Sequence, residues 1–197
     1  MKSIYHDGNR LLQDEFDSRK LADRLSDFTV HDTITDLDRE FIQARDMFFI
    51  STIDADGNPT VSYKGGRVGF VKIIDDTTIA FPDYDGNGMF LTTGNITVNR
   101  DVGLLFIDFE NPMRLRLHGQ ASIETNSPLL QEYPEAKLMI IITIKNLFIN
   151  CPRYIHKYQK LETSKYVPNS DQPTPSPHWK EMDQFKDVLP EGSSGDS

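Results

Sequence analysis

The sequence contains a single cysteine, Cys151, among 197 residues. One cysteine excludes an internal disulfide and any zinc site built only of thiolates. The chain must therefore fold on an apolar core, for which 38% hydrophobic residues over this length suffice. A lone thiol is typical of a reducing compartment, and the first residues lack the apolar stretch of a signal peptide. We therefore expect a cytoplasmic protein.

Long apolar runs and positive charge are also scarce. The most apolar window, residues 138–149, is shorter than the roughly 20 residues that a membrane-spanning helix needs, and Lys145 interrupts it. The chain has 21 Lys and Arg against 30 Asp and Glu, which gives a net charge of -9. Nucleic acids and anionic membranes bind basic surfaces, so we expect neither as a partner.

The common catalytic and binding motifs are missing. The sequence has no glycine-rich dinucleotide fingerprint, no Walker loop, no zinc-protease motif and no nucleophile elbow. The five histidines have no metal-ligand spacing, so no metal site is predicted. They are His6, His31, His118, His156 and His178.

Helical periodicity is confined to the beginning of the chain. Residues 11–28 predict one helix, in which Leu21, Leu25 and Phe28 recur at i, i+4 and i+7 as an apolar stripe. A second short helix is predicted to begin near Thr35, whose hydroxyl can cap it.

From Met47 onward the sequence becomes rich in β-branched and aromatic residues, broken by short turn signals. The Asp-Gly pair at 56–57 supplies the positive φ of a tight turn and predicts a hairpin. The predicted strands are 47–53, 60–64, 67–74, 77–81, 102–108, 113–123 and 137–148, with a short helix at 89–99.

These elements predict a mainly β fold, an antiparallel barrel with peripheral α-helices. We expect a helical segment (1–45) packed on the barrel (46–160), and an extended C-terminal segment (161–197) whose tail from Gly192 is disordered. The strand 102–107 is apolar at both parities, so both of its faces should be covered. One face can fill the barrel; the other needs a helix or a second subunit, which makes a homodimer our expectation.

The segment Ser62-Tyr-Lys-Gly-Gly-Arg67 lies between two predicted strands. Its glycines let the backbone approach a ligand, while Lys64, Arg67 and the Ser62 hydroxyl could hold a phosphate. An ordinary glycine-rich connection with solvated cations remains the alternative.

The segment from Phe81 to Met89 follows another strand and mixes Pro, Asp, Asn, Gly and an aromatic residue. A flat aromatic cofactor needs backbone hydrogen-bonding groups along its edge and apolar groups over its faces, and such a loop can supply both. A surface turn would have the same composition.

Strict alternation in residues 113–118 places Arg114, Arg116 and His118 on one face of a strand. Two neighbouring arginines in an acidic protein suggest an anionic ligand. The alternative is a solvent-facing row paired with nearby carboxylates.

The order of these motifs resembles the pyridoxamine 5'-phosphate oxidase-like flavoproteins, and more narrowly a branch with poorly assigned substrates. The resemblance implies a split β-barrel that binds FMN at the interface of a homodimer. It also implies flavin-mediated transfer of hydride or electrons to or from a small molecule, with NAD(P)H as a possible reductant. The resemblance is carried by residues 48–59, 62–66, 69–71, 81–90, 94–96, 102–109 and 151–156.

The resemblance also implies which residues hold the cofactor. Those near the phosphate or ribityl chain would be Ser62, Tyr63 and Lys64, those along the ring edge Phe81, Pro82 and Asp83, and those at the short helix Asn87, Gly88, Met89 and Asn95. Gly66 and Arg67 of the glycine-rich segment complete this set together with Arg114 and Arg116. Asn87, Gly88 and Met89 would open that helix, whose N-terminal amides suit a phosphate.

Two departures from the family pattern limit this prediction. The Arg-Lys pair that grips the FMN phosphate in the authentic enzymes is replaced here by Phe90-Leu-Thr-Thr93, so Lys64, Arg67, Arg114 or Arg116 would have to compensate. Trp179 is present, but the Arg-Leu-x-Pro ending that helps to bind the substrate phosphate is not. Oxidation of vitamin B6 is therefore not the activity we predict, and a deazaflavin such as F420 stays open as the cofactor.

On the substrate side, Arg153, Tyr154 and His156 are the candidates: Arg153 for an anionic substrate, the other two for proton transfer. Alternatively, these residues only end a strand and pack the mouth of the barrel. Two other functions share the fold: a non-catalytic flavin-binding protein, and a haem-binding protein with His118 or His156 as the axial ligand.

Overall fold

The computed structural model describes residues 3–190, so the tail for which we predict disorder lies outside the described residues. Within that range the chain forms four α-helices, seven strands and three 3₁₀ turns. The α-helices are α1 (Asp7–Glu15), α2 (Arg19–Thr29), α3 (Asp36–Gln43) and α4 (Leu91–Val98). The strands are β1 (Met47–Ile53), β2 (Pro59–Gly65), β3 (Lys72–Asp75), β4 (Thr78–Asp83), β5 (Asp101–Asp108), β6 (Met113–Glu124) and β7 (Leu138–Ile149). The 3₁₀ turns are Pro128–Glu132, His178–Glu181 and Lys186–Val188.

All strand pairs are antiparallel, and the seven strands form one sheet in the order β2-β1-β5-β6-β7-β4-β3. The sheet curls on itself, because Lys64 of β2 reaches Asp83 of β4 (Nζ–Oδ1 3.0 Å) although these strands are not hydrogen-bonded neighbours. The fold is thus an antiparallel split β-barrel with a few helices, which confirms the prediction.

The core fills the inside of this barrel. In β1, β5 and the first part of β6, every second side chain is buried, as expected for strands with one face on a core. Phe48 lies at the centre, fully buried, with its ring against those of Phe70, Phe81 and Phe106 at centroid distances of 5.7, 4.9 and 5.1 Å. These contacts fix the positions of β1, β4 and β5, which carry or flank the site described below.

The predicted helix 11–28 is in fact two helices. Asp17 between them has a φ of 47°, a left-handed conformation that ends α1 and that an α-helix cannot continue through. Thr35 caps α3 as predicted: its Oγ1 accepts a hydrogen bond from Asp38 N, and the Asp38 carboxylate in turn accepts one from Thr35 N.

The stripe on α2 does not face the barrel. Leu21, Leu25 and Phe28 are exposed, and neither α1 nor α2 has a buried side chain. The two helices are attached to the barrel at His31, whose backbone pairs with Leu147 of β7. No helix among the described residues is long and apolar enough to cross a membrane.

Candidate cofactor-binding cleft

A cleft of about 1150 Å³ opens where the barrel is split. Its walls are β2, the end of β4, the connection 84–90, the first turn of α4, and residues 179–190 of the C-terminal segment. The volume exceeds the range of about 300–1,000 Å³ typical of pockets for small ligands. The cleft therefore has room for a ring-bearing cofactor with a second small molecule beside it.

Eight of the residues that the sequence analysis assigns to a cofactor meet in this cleft. They come from two segments about twenty residues apart, which the approach of β2 to β4 brings together. They are Ser62, Tyr63, Lys64, Pro82, Asp83, Asn87, Gly88 and Met89.

The N-terminus of α4 opens into the cleft without a side-chain cap. The first helical N–H groups, those of Leu91, Thr92 and Thr93, have no partner within the helix and point toward the N-terminal end. The buried Thr92 donates a hydrogen bond to Ser62 (Oγ1–Oγ 3.1 Å), so two hydroxyls lie beside these amides. This combination of free amides and hydroxyls is suited to bind a phosphate.

The helix begins two residues later than predicted. Gly88 has a φ of 78° and Phe90, the N-cap, a φ of 49°, both outside helical geometry. Asn87, Gly88 and Met89 therefore belong to the connection before α4 and do not open the helix. A non-glycine residue in the left-handed region costs about 1 kcal/mol, and strain of this kind is often found at binding sites.

The charges around the cleft are arranged in two groups. Lys64 is paired with Asp83, while Asp85 accepts hydrogen bonds from both Lys137 (2.5 Å) and Lys180 (2.8 Å). Partial burial would raise the pKa of Asp85, but the hydrogen bonds from the two lysines outweigh it and hold that pKa below its ordinary value. Three ammonium groups thus face two carboxylates, which leaves one excess positive charge for an anion.

Four further residues line the cleft and were not predicted as cofactor-binding: Tyr84, Asp85, Lys137 and Lys180. Tyr84 lies directly after β4, within the segment from Phe81 to Met89 that was already a cofactor candidate, and it could have been predicted from that position. Lys137 and Lys180 lie far along the chain and belong to no motif, and only the fold brings them to Asp85.

Six predicted cofactor residues do not line the cleft, and Phe81, Gly66, Asn95 and Arg67 are four of them. Phe81 is fully buried in the core, and Gly66 is packed under Phe70, whose Cγ would lie 2.4 Å from an added Cβ. Asn95 points from α4 to Thr52 (Nδ2–Oγ1 3.0 Å), where it fastens the helix to β1. Arg67 is exposed, close enough to Tyr84 to lower the pKa of its hydroxyl, although burial keeps that pKa above its ordinary value.

Arg114 and Arg116 lie on the outer face of β6 and not in the cleft. Arg114 donates to the Cys151 carbonyl (Nη2–O 3.0 Å), while its Nε is buried without a hydrogen-bond partner. Burial and the neighbouring Arg114 lower the pKa of Arg116. Within residues 3–190 neither arginine forms an ion pair, so the pair is not the carboxylate-matched row considered above.

The predicted substrate-side residues are also outside the cleft. Arg153, Tyr154 and His156 follow β7 in the irregular C-terminal segment, and Tyr154 is 84% exposed. His156 lies near Tyr158, with ring centroids 6.5 Å apart. In this chain, these three residues do not meet the groups that line the cleft.

His118 lines a second, shallower groove of about 480 Å³ on the outer face of the sheet, together with Ser51, Gly103 and Asn146. Loss of solvation and the nearby Arg116 lower the pKa of His118. Among the described residues, no group of three or more His, Cys, Asp or Glu side chains is placed to hold a metal ion.

Comparison with known proteins gives a family but no curated relative. The family model described as pyridoxamine 5'-phosphate oxidase matches residues 34–146, which is more than half of the chain and includes β1 to β6, α3, α4 and most of β7. No match is found among curated proteins.

Solved structures with a similar fold include HupZ from Group A Streptococcus, at 23% identity and a TM-score of 0.49, with 59% of this chain and 93% of that one covered. General Stress Protein 26 from Bacillus anthracis is 18% identical (TM-score 0.44; 56% and 88% covered). An FMN-binding protein from Syntrophomonas wolfei is 11% identical (TM-score 0.43; 71% and 97% covered). These likenesses are weak, and the assignment rests on the family model. The chain belongs to the pyridoxamine 5'-phosphate oxidase family.

Proposed function

We propose that this protein binds FMN in the cleft, as a homodimer, and acts as an oxidoreductase on a small molecule. The observation that carries the proposal is the uncapped N-terminus of α4, which faces the cleft beside Ser62 and Lys64. Free amides, a hydroxyl and an ammonium group together form a site for a doubly charged phosphate.

The phosphate site would replace the missing Arg-Lys pair. Thr92 and Thr93 lie in the stretch that replaces that pair, and they offer amides and hydroxyls in place of cations. Lys64, now paired with Asp83 at 3.0 Å, lies on β2 two residues after Ser62, the hydrogen-bond partner of Thr92, and can turn from Asp83 toward a phosphate there. We therefore assign charge neutralisation to Lys64 and not to Arg114 or Arg116.

The ring would lie against the apolar wall formed by Met89, Phe90 and Leu91, which are exposed at the cleft. Trp179, in edge contact with Phe185 at a centroid distance of 5.8 Å, also lines the cleft and offers a second aromatic surface for the ring. When bound, the flavin supplies the hydride or electron transfer, and the chain binds the ring, orients it and excludes water.

A second subunit would complete the cofactor site. On β5 the alternate positions Gly103, Leu105 and Ile107 are only half-buried, although the inward-facing side chains between them are fully covered. A homodimer would cover these positions. A non-catalytic flavin-binding protein would need the same cleft, and F420 would need a site for its longer tail; turnover and cofactor identification distinguish these alternatives.

The proposal is tested by binding of FMN and riboflavin to wild type and to Lys64→Ala. Loss of a charge-assisted phosphate contact, worth about 1–3 kcal/mol, should weaken FMN by roughly 5–150-fold while riboflavin changes little. Lys72→Ala is the matched control: Lys72 lies on β3, pairs with Glu132 and does not line the cleft, so its loss should affect the binding of neither ligand. Flavin fluorescence quenching measures both affinities.

Equal losses for FMN and riboflavin, or a wild-type protein that binds neither, would contradict the proposal. The enzymatic part needs a separate measurement: NAD(P)H should bleach the flavin absorbance of the holoprotein, and an acceptor should restore it. A flavin that no reductant reduces would leave a binding protein without catalysis.

A further inference from the structure

Two surfaces of this chain are apolar and uncovered. The first is the helical hairpin, defined here as α1 and α2 with their connection (residues 7–29). The second is the outer face, defined as the solvent-side positions of β2, β1, β5, β6 and β7. Among residues 3–190 each surface leaves large apolar side chains exposed or half-buried, and the two differ in charge.

The hairpin exposes six large apolar side chains. Phe28 is 82% exposed and Phe16 is 74% exposed, although both sit where an amphipathic helix normally buries its apolar residues. The full set is Leu11, Leu12, Phe16, Leu21, Leu25 and Phe28. Large apolar side chains exposed in this number on one short segment are characteristic of protein–protein contact.

The hairpin is held in this orientation by its C-terminal end. His31 exchanges two backbone hydrogen bonds with Leu147 (3.0 and 2.7 Å), and its Nε2 lies 2.7 Å from Asp38 Oδ2 of α3. On α2, Ala22 and Ser26 are half-buried while Leu25 is exposed. The anchored helix thus turns the side that carries Ala22 and Ser26 toward its own chain and its stripe of large apolar side chains toward solvent.

The outer face is apolar with a cationic centre. Strand register places Tyr63, Phe49, Leu105, Arg116 and Phe148 in one row across five strands. Tyr63 is exposed, and Phe49, Leu105 and Arg116 are half-buried. Phe148 is itself buried, so β2, β1, β5 and β6 present one surface in which aromatic and aliphatic groups lie beside an arginine.

The charges of the two surfaces are complementary. Arg114 and Arg116 have no carboxylate partner among the described residues, and Arg114 Nε is buried without a hydrogen bond. On the hairpin, ion pairs join Arg10 to Asp23 and Arg19 to Asp14. The acids left outside these pairs are Asp7, Glu15, Asp17 and Asp27, against the bases Lys20 and Arg24.

We propose that the hairpin of one copy packs on the outer face of a second copy, with hairpin carboxylates against Arg114 and Arg116. In a two-fold dimer the contact occurs twice, because each copy offers both surfaces. The proposal rests on the two-copy assembly proposed above and does not depend on the flavin. In this arrangement α1 and α2 of each copy lie on the sheet of the other copy, a contact that we call the clasp.

Cross-linking between two separately prepared cysteine variants tests whether the hairpin of one copy contacts the outer face of another. In a Cys151→Ser background, which removes the exposed free thiol, one preparation carries Phe28→Cys and another carries Leu105→Cys. A short bismaleimide should link the two preparations into a heterodimer when they are mixed, at a yield at least tenfold above either preparation alone. Leu161→Cys in place of Phe28→Cys is the control, since Leu161 is 95% exposed and lies outside both surfaces.

A cross-link yield between the two mixed preparations that is no higher than the yield of the control would overturn the proposal. Leu25→Glu/Phe28→Glu adds a second arm: its dimer dissociation constant by sedimentation should rise at least 100-fold, while Leu37→Glu on α3 leaves it unchanged. All three leucine and phenylalanine positions are exposed, and circular dichroism reports whether the variants are folded.

The same preparations separate this proposal from the proposed function. A wild-type dimer that cross-links through the hairpin but binds no FMN would contradict only the flavin assignment. A protein that binds FMN but whose mixed copies give no specific cross-link would contradict only the clasp.

Discussion

Helices α2 and α3 have the same amphipathic pattern and opposite surroundings. Ile42 of α3 is fully buried against the barrel, whereas the stripe of α2 is in solvent. The difference lies in what fixes each helix: α3 has a reciprocal cap and a side chain in the core, whereas α2 buries no side chain and is joined to β7 through the backbone pairing of His31 with Leu147 just beyond its end. Amphipathic periodicity therefore says that a face will be covered but not by which chain.

The largest effect should come from truncating equivalent rings in the two regions. Phe48→Ala removes a fully buried ring with three aromatic neighbours and should cost about 3–5 kcal/mol of unfolding free energy. Phe28→Ala on α2 should change the stability of dilute, dissociated protein by less than about 0.5 kcal/mol. Urea denaturation below the dimer dissociation constant measures both.

A large loss for Phe28→Ala in dilute protein would mean that the stripe is buried within its own chain. At high protein concentration the same substitution should destabilise, because assembly adds to the apparent stability.

Glycine positions give a second contrast, between tight packing and open space. Gly66→Ala would force Phe70 to move, since Phe70 Cγ lies 2.4 Å from the new Cβ, and should cost about 1–3 kcal/mol. Gly94→Ala lies inside α4 with nothing within 4 Å and should stabilise by up to about 1 kcal/mol through helix propensity. Thermal or urea unfolding should give opposite signs; two losses would mean that α4 is packed more tightly than the structure has it.

The sequence predicted the barrel well because its signals are local. An Asp-Gly turn and alternating strands determine the β-hairpins, and the strand predicted at 102–108 was observed at Asp101–Asp108. It predicted the helices less well, since the break at Asp17 depends on a single left-handed residue. Whether the α2 stripe faces the barrel is decided by the His31 anchor, which no periodicity encodes.

The site was predicted in part for a similar reason. The segments around Ser62 and Asn87 were found because each combines chemistry with turn signals, and both line the cleft. Alternation put Arg114 and Arg116 on a common face, but parity alone does not say whether that face looks into the barrel or out of it. Asp85 gains its partners from residues about 50 and 95 positions away, which only the tertiary fold brings together.

The N-cap residues of α2 and α3 give a further comparison of the two helices, with smaller expected losses of stability. Thr35→Ala removes the hydroxyl that accepts from Asp38 N (3.2 Å) and should cost about 1 kcal/mol. Ser18→Ala at the N-cap of α2 removes no such bond and should cost less than about 0.3 kcal/mol. Chemical denaturation of both variants gives the ratio; equal losses would mean that the capping box contributes nothing to α3.

The smallest effect concerns His118, which lies on the outer face beside Phe148 and has its pKa lowered from 6.5 by loss of solvation and by Arg116. Because the folded chain takes up this proton less readily than the unfolded chain, stability is full above pH 6.5 and falls as the pH drops through the lowered pKa. Water reaches the side chain and screens its charge, so the loss should stay below about 1 kcal/mol and vanish in His118→Gln.

If the clasp forms, the pKa of His118 should change with protein concentration. In the dissociated chain Arg116 opposes protonation of His118, whereas hairpin carboxylates from a second copy would favour it. The pKa of His118, followed by NMR, should therefore lie below 6.5 in dilute protein and rise as the dimer assembles. Asp27→Asn, on the hairpin, should reduce the rise without changing the dilute value. A pKa that is the same at both concentrations would mean that no carboxylate of a second copy approaches this face.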